Sequence, residues 1–231
     1  MKTQVVNDAH KSENALTSRL QRPELAAQLV KFVTESQFHD IPKEVVEQAS
    51  FFLMDTIAVG IAATTYDATD KALASTASWG SSDQARVIGR PGVTLSAAAA
   101  AFVNGMQVHA LEWDGLHEET VVIALCASTG ALAAEIERGG YTGKELITAF
   151  MIGVEVAVFF GGVTDSSPRF FRPSAAGGMG AAMALAKLRR LNEEQTMAAL
   201  GLAYSLSLIH ISEPTRLLSI SYAVFCLKKK K

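Results

Sequence analysis

The amino-acid sequence predicts an all-α fold. Hydrophobic residues make up 49% of the 231 residues, whereas aromatic residues make up only 7%, and five alanines follow one another at residues 97–101. Small apolar side chains let helices approach closely, which favours packed helices over a β-sandwich. Apolar residues also recur at helical spacing, as at Leu25, Leu29 and Phe32. A chain of this length suits one large domain or two small ones.

Eight helices are predicted in order along the chain. Ser96 is a good N-cap for the fourth helix, and Thr142 with Glu145 has the spacing of a capping box at the start of the sixth. Asn192 and Gln195 repeat that spacing before the last helix. The predicted elements are helices at residues 24–36, 41–64, 67–79, 97–113, 124–140, 142–160, 175–191 and 193–205, and one short extended stretch at residues 86–88.

Two of these helices are unusually apolar. In the second, Pro42 suits the first helical turn, where its missing N–H would be unpaired in any case. After Phe51 this helix is apolar on every side, which predicts burial on several sides and a partner for Asp55. The sixth helix is short for a membrane span and carries Glu155, so it is expected to be a core helix.

Composition excludes several classes of protein. Lys and Arg total 21 against 23 Asp and Glu, a net charge of −2, which lacks the charge excess of a nucleic-acid binder. Cys126 and Cys226 cannot form a disulfide framework, so a reducing, cytoplasmic setting is expected. The first residues lack the apolar core and cleavage site of a signal peptide. Residues 1–22 are polar and without periodicity and are predicted to be disordered.

The last stretch, residues 206–231, differs from the rest of the chain. Its strings LSLIHISEPTR and ISYAVFCL, followed by Lys228–Lys231, resemble the translation of a sequencing-library adapter in one reading frame. The alternative is a membrane-surface anchor, since a basic end attracts anionic lipid. We expect residues 206–231 to be non-native and residues 23–205 to be a truncated helical domain without a membrane partner.

The densest group of polar residues lies near the end of the fourth predicted helix. Its members are His109, Glu112, Asp114, His117, Glu118 and Glu119. Three residues separate His109 from Glu112, so both can face one way on a helix and act as an acid/base pair. The alternative is a solvated helix end with a partly buried histidine. A third alternative is a metal site, since histidine and carboxylates are suitable ligands, but the spacing matches no standard zinc signature and no metal is predicted. Cys126 is expected to pack in the core without an activating base.

A second candidate site is the arginine- and glycine-rich segment at residues 168–182. Arg172 can grip a carboxylate with two hydrogen bonds beside the N-terminus of a helix, which favours anions. The spacing is not that of a phosphate-binding loop. The alternative is that the glycines simply permit close contact between helices.

Several strings together resemble the MmgE/PrpD family over residues 23–205. They are IPKEVVEQASFFLMDTIAVGIAATT, ARVIGRPG, AAAFVNGMQVHALEWD, GYTGKELITAFMIGVEV and RPSAAGGMGAAMALAKLRRLNEEQ. The resemblance implies a large helical domain with a smaller α+β lid domain that is missing from this chain. It also implies a homodimeric lyase that removes water or CO₂ from small polycarboxylic acids such as methylcitrate or cis-aconitate, without a metal or organic cofactor. A chain without the lid is expected to be inactive.

The resemblance also assigns roles to individual residues. The family pattern is close to H-x-x-D-[FWY]-D-D-T-H, and this chain has Glu112 for the first Asp, Asp114 and His117 in matching places, and Gly115-Leu116 for Asp-Thr. It implies Glu112, Asp114 and His117 as catalytic residues and Arg172, in the place of a later histidine, as a substrate-binding residue. A following His-Pro step is replaced by Ile123-Ala124. Two alternatives remain, namely a diverged binding member without catalysis and a helical interaction domain without a site.

Overall fold

The computed structural model describes residues 23–163 and 172–206. Within these residues the all-α prediction is confirmed, because eight α-helices form and the strands are limited to one short hairpin. The predicted disorder of residues 1–22 and the adapter-like tail, apart from Leu206, lie outside the described residues. The helices are α1 Pro23–Glu35, α2 Lys43–Ala62, α3 Asp67–Ser75, α4 Ala97–His109, α5 Leu125–Ile136, α6 Gly143–Gly162, α7 Arg172–Leu188 and α8 over residues 193–206. The hairpin joins β1 Ala85–Arg86 to antiparallel β2 Thr94–Leu95, and 3₁₀ turns lie at Phe38–Asp40, Ala63–Thr65 and Thr76–Trp79.

Side-chain caps start three of the helices where the sequence predicts them. The Ser96 hydroxyl accepts a hydrogen bond from the backbone N–H of Ala99 at the start of α4. At the start of α6, the Thr142 N–H donates to the Glu145 carboxylate and the Glu145 N–H donates to the Thr142 hydroxyl. Asn192 and Gln195 exchange the same pair of bonds before α8. These caps satisfy backbone donors that a helix N-terminus leaves unpaired.

The central layer of the domain is formed by α5, α6 and α7, with α4 against α5. Glycines bring the helix backbones together. A side chain at Gly130 would lie 2.6 Å from the backbone nitrogen of Gly105, so α4 and α5 touch through their main chains. Phe150 and Ile152 of α6 and Met183 of α7 are fully buried in the core. The prediction of α6 as a core helix agrees with this packing, although by length and composition alone both α6 and residues 43–65 would suffice to cross a membrane.

The hairpin is fixed to α4 by buried amide side chains. The Asn104 side chain accepts a 2.9 Å hydrogen bond from the Ile88 N–H. The Gln107 side chain donates to the carbonyls of Ile88 and Gly60, at 2.7 and 2.9 Å, and accepts from the Arg90 guanidinium. Because both amides are fully buried, these bonds replace water for groups that would otherwise be unpaired. They hold α4, and therefore the residues at its C-terminal end, in a fixed position.

The predicted burial of α2 on several sides is wrong for this chain. One face packs inward through Thr56 and Val59, but Phe51 and Met54 on the other face are 59% and 62% exposed. Asp55 lies on the exposed side and therefore needs no buried partner. Pro42 precedes the helix as its N-cap residue instead of lying in its first turn. Periodicity reports that a surface is apolar, but it does not report which other element covers it.

Candidate functional site

A buried carboxylate lies at the junction between the end of α4 and the start of α5. The side chain of Asp114 is fully buried, and its two oxygens lie 3.1 and 3.3 Å from Nδ1 of His109, the last residue of α4. The His109 side chain is 36% exposed. The imidazole therefore lies between the buried carboxylate and the surface, with Nδ1 directed at Asp114.

The local backbone explains how a residue five positions after His109 comes to lie beneath it. The helix ends with the Glu112 N–H donating to the His109 carbonyl at 2.9 Å. Glu112 itself has φ +53°, a left-handed conformation that turns the chain back on itself. A two-way backbone bridge between His117 and Val122 then closes the loop. At Gly115 a Cβ atom would lie 2.9 Å from Cδ1 of Leu125, so a larger residue there would require the Leu125 side chain to move.

The thiol of Cys126 completes the group of side chains around Asp114. Cys126 lies in the first turn of α5, and its ligand atom and those of His109 and Asp114 all lie within 4.8 Å of one another. Burial, the charge of Asp114 and a hydrogen bond to Asp114 together raise the pKa of the Cys126 thiol to about 12. The thiol is therefore protonated at neutral pH and is not a nucleophile. This agrees with the predicted lack of an activating base.

The other predicted site residues are placed differently. Glu112 and His117 are both exposed, and the His117 ring nitrogen Nδ1 lies 3.0 Å from the Thr120 hydroxyl. The expectation that Glu112 shares a helix face with His109 is wrong, because α4 ends at His109 and Glu112 is in a left-handed turn. The backbone of Arg172 begins α7, but its side chain lies outside the described part of the structure. Of the three predicted catalytic residues, Asp114 alone is buried at this junction.

The sequence does not show two features of this group. The spacing in the sequence pairs His109 with Glu112, whereas its partner is Asp114. The sequence predicts that Cys126 packs in the core, whereas its sulfur faces a carboxylate. The signal in the sequence is a histidine at a helix end followed by Asp114 and Gly115, but the pairing depends on a left-handed turn that spacing does not show.

The arrangement supports two kinds of chemistry. An imidazole held at Nδ1 by a buried carboxylate is oriented to exchange a proton through Nε2. A nitrogen, an oxygen and a sulfur that lie within 4.8 Å of one another are also suitable types of ligand for a metal ion. The exposed Glu112 and His117 lie on the same loop, close along the chain to this pair.

Comparison with known proteins agrees with the resemblance noted in the sequence. Residues 27–212 match the family model described as the MmgE/PrpD N-terminal domain. The chain is 27% identical over 195 residues to cis-aconitate decarboxylase of Homo sapiens, covering 77% of this chain and 40% of that protein. It is 26% identical to cis-aconitate decarboxylase of Mus musculus, with 77% and 39% covered. It is 27% identical to the cis-aconitate decarboxylase-like protein oryM of Aspergillus oryzae, with 78% and 39% covered. The chain thus spans about two fifths of the length of these relatives. Because the family model covers most of the chain, this protein belongs to the MmgE/PrpD family.

Proposed function

We propose that the full protein is a lyase that removes water or CO₂ from a small polycarboxylic acid, as a cytoplasmic homodimer and without a cofactor. The family match over residues 27–212 carries this proposal, and the relatives' names point to cis-aconitate or a related acid as substrate. Because the chain covers about 40% of the human relative, we expect the 231-residue chain alone to show no turnover.

In the proposed reaction, His109 transfers a proton and Asp114 orients its ring. Asp114 accepts the hydrogen bond from Nδ1–H, so the lone pair of His109 lies on Nε2. In dehydration, Nε2 would take the proton from the carbon next to a carboxylate, and the C–O bond would break as an acid protonates the leaving hydroxyl to water. In decarboxylation, the C–C bond would break, CO₂ would leave, and the electron pair left on carbon would take a proton. In either case the buried carboxylate stabilises the imidazolium form of His109.

The remaining roles are assigned to residues nearer the surface. Glu112 and His117 are exposed on the loop that contains Asp114, where they would reach a bound acid and serve as the proton donor for the leaving group. Arg172 begins α7 and would bind a substrate carboxylate, since a guanidinium presents two parallel N–H donors. Cations that hold the carboxylates and an acid that assists departure are the requirements of this reaction class.

A second candidate is a diverged member that binds a polycarboxylate without turning it over. The observation behind it is the replacement of the family's Asp-Thr by Gly115-Leu116 and of its His-Pro by Ile123-Ala124. Val122, beside that position, is fully buried as part of the loop bridge. Tight binding of the acid by the full-length protein without product formation would favour this candidate over the lyase.

Turnover of cis-aconitate and 2-methylcitrate by the full-length protein tests the proposal. We expect Asp114→Asn and His117→Ala each to lower kcat by at least about 10²-fold, the usual contribution of a positioned acid or base. Asp114→Asn is also expected to move the pH profile of kcat/KM, which loss of packing alone would not do. His39→Ala is the matched control, because His39 is an exposed histidine beside an aspartate in the 3₁₀ turn after α1. Full activity in both site variants would refute the assignment.

A further inference from the structure

The group formed by His109, Asp114 and Cys126 has a composition that the proposed reaction does not need. It contains one imidazole nitrogen, one carboxylate oxygen and one sulfur, and these atoms lie within 4.8 Å of one another. We propose that these three residues form a binding site for a borderline-soft divalent cation, with Zn²⁺ as the best fit. The prediction from sequence was that no metal binds, because spacing alone matched no zinc signature.

Two of the three ligand atoms already have the spacing of a zinc site, and the third lies within 4.8 Å of both. In a tetrahedral zinc site the metal lies about 2.0–2.3 Å from each N, O or S ligand, so neighbouring ligand atoms are roughly 3–4 Å apart. His109 Nδ1 and Asp114 Oδ1 are already 3.1 Å apart. The helices that carry His109 and Cys126 are fixed by contacts outside the site. The buried amide side chains fix α4, and backbone contact with α4 at Gly130 fixes α5. The ligands are therefore positioned by packed helices, as a metal site requires.

Charge and burial favour zinc over harder ions. Asp114 and a deprotonated Cys126 supply two negative charges and His109 binds as a neutral imidazole, so a divalent ion makes the site neutral. The carboxylate is fully buried, and a buried site with excess charge would be strongly disfavoured. A thiolate ligand selects Zn²⁺ over Mg²⁺ and Ca²⁺, which prefer oxygen. Because His109 is 36% exposed, a water molecule can reach the fourth position.

Binding would change the junction in two ways. The cation would connect the last residue of α4 to the first turn of α5 across the loop of residues 110–124, replacing one proton on the Cys126 sulfur, which is released to solvent. His109 would bind through Nδ1 and carry its proton on Nε2. With zinc bound, His109 has no free lone pair to take a proton from the substrate, so zinc would inhibit the lyase. This inhibition rests on the proposed function, whereas metal binding itself does not.

Cobalt(II) titration of the 231-residue chain tests the site without any assay of activity. The titration uses a Cys226→Ser background, so that a sulfur-to-cobalt charge-transfer band in the near ultraviolet reports Cys126 alone. We expect this band together with the visible d–d bands of a tetrahedral site, and displacement of both by stoichiometric Zn²⁺. Absence of the near-ultraviolet band in a folded protein would overturn the proposal.

Variants then assign the ligands. Cys126→Ser and Cys126→Ala should each remove the charge-transfer band, and His109→Gln should weaken zinc affinity by about 100-fold or more, since even an outer-shell change costs about 10–100-fold. His39→Gln is the control and should bind as the parent does, because His39 and its neighbour Asp40 form a similar pair on the surface without a thiol. Circular dichroism confirms that each variant is folded. Zinc binding that survives His109→Gln unchanged would place the metal elsewhere and refute this site.

Discussion

The close backbone contact between α6 and α7 can be tested by adding a single methyl group. Gly180 on α7 faces α6, and a Cβ atom at this position would overlap the carbonyl oxygen of Gly153 and lie 2.9 Å from the Cβ of Ala157. Gly178, two residues earlier on the same helix, is exposed and has nothing within 4 Å of the corresponding point. Gly180→Ala and Gly178→Ala therefore make the same chemical change in the same helix. The first creates a steric conflict and the second does not.

The expected magnitudes follow from two opposing effects. Replacing glycine by alanine inside a helix favours the folded state by about 1 kcal/mol in both variants. Overpacking usually costs about 1–3 kcal/mol, and the conflict at Gly180 is with backbone atoms, which cannot rotate away as a side chain can, so we take about 3 kcal/mol. Gly180→Ala should therefore lower the free energy of unfolding by about 2 kcal/mol, while Gly178→Ala should raise it by up to about 1 kcal/mol.

Thermal unfolding followed by circular dichroism measures both effects. For a chain of this size about 1 kcal/mol corresponds to about 2–4 °C in Tm, so we expect a decrease of about 4–8 °C for Gly180→Ala and an increase of a few degrees for Gly178→Ala. Urea midpoints provide a second measure that does not depend on scan rate. A Tm for Gly180→Ala equal to or above that of the parent would show that α6 and α7 are not in backbone contact, and equal shifts in the two variants would do the same.

Three further substitutions test the caps and the buried polar groups. Thr142→Ala removes the hydroxyl that accepts from the Glu145 N–H and should destabilise the fold by about 1 kcal/mol, which a urea midpoint would reveal. Gln107→Leu leaves two backbone carbonyls without their donor and should lower the free energy of unfolding by about 2–4 kcal/mol; an unchanged midpoint would contradict the hydrogen bonds. Burial opposes ionisation of Glu135, but Arg189, with help from the Tyr141 hydroxyl and the charge of Arg138, holds the pKa of Glu135 below its usual range. That stabilisation is present above the ordinary carboxylate pKa of about 4.3 and is lost as pH falls through the lower folded-state pKa. Glu135→Gln should therefore lower Tm at pH 7, and its difference from the parent should narrow below about pH 4.

Sequence reasoning predicted the helices because their starts are determined locally. A cap such as Ser96 or Thr142 acts on backbone N–H groups two or three residues away, so spacing in the sequence is enough to find it. The far end of α4 was not predictable in this way. The apolar pattern continues to Trp113, yet the helix ends at His109, and the chain then turns back through a left-handed Glu112 and a bridge between His117 and Val122. A contact between elements distant in sequence leaves no periodic signal.

The same distinction explains the candidate site. The acidic and imidazole groups were found because they are dense in sequence, but the pair that forms, His109 with Asp114, depends on the left-handed turn at Glu112. A non-glycine residue in that conformation is uncommon, so the helix was expected to continue through it. Cys126 joins the pair only because α5 begins beneath the loop. The sequence therefore predicts which chemical groups are present, but it does not predict that His109 pairs with Asp114.

The buried charge of Asp114 can serve two functions, namely proton transfer through His109 and metal binding with His109 and Cys126. The fully buried Asp114 carboxylate needs polar partners, and the structure offers the Nδ1–H of His109 or a cation held by His109 and Cys126. Proton transfer needs His109 to remain free at Nε2, whereas metal binding adds the Cys126 sulfur to the same pair. A Cys126→Ser variant in the full-length protein separates these uses, because it should retain the proton-transfer pair and lose inhibition by zinc. Equal inhibition of this variant and the parent by zinc would show that the metal acts at another place.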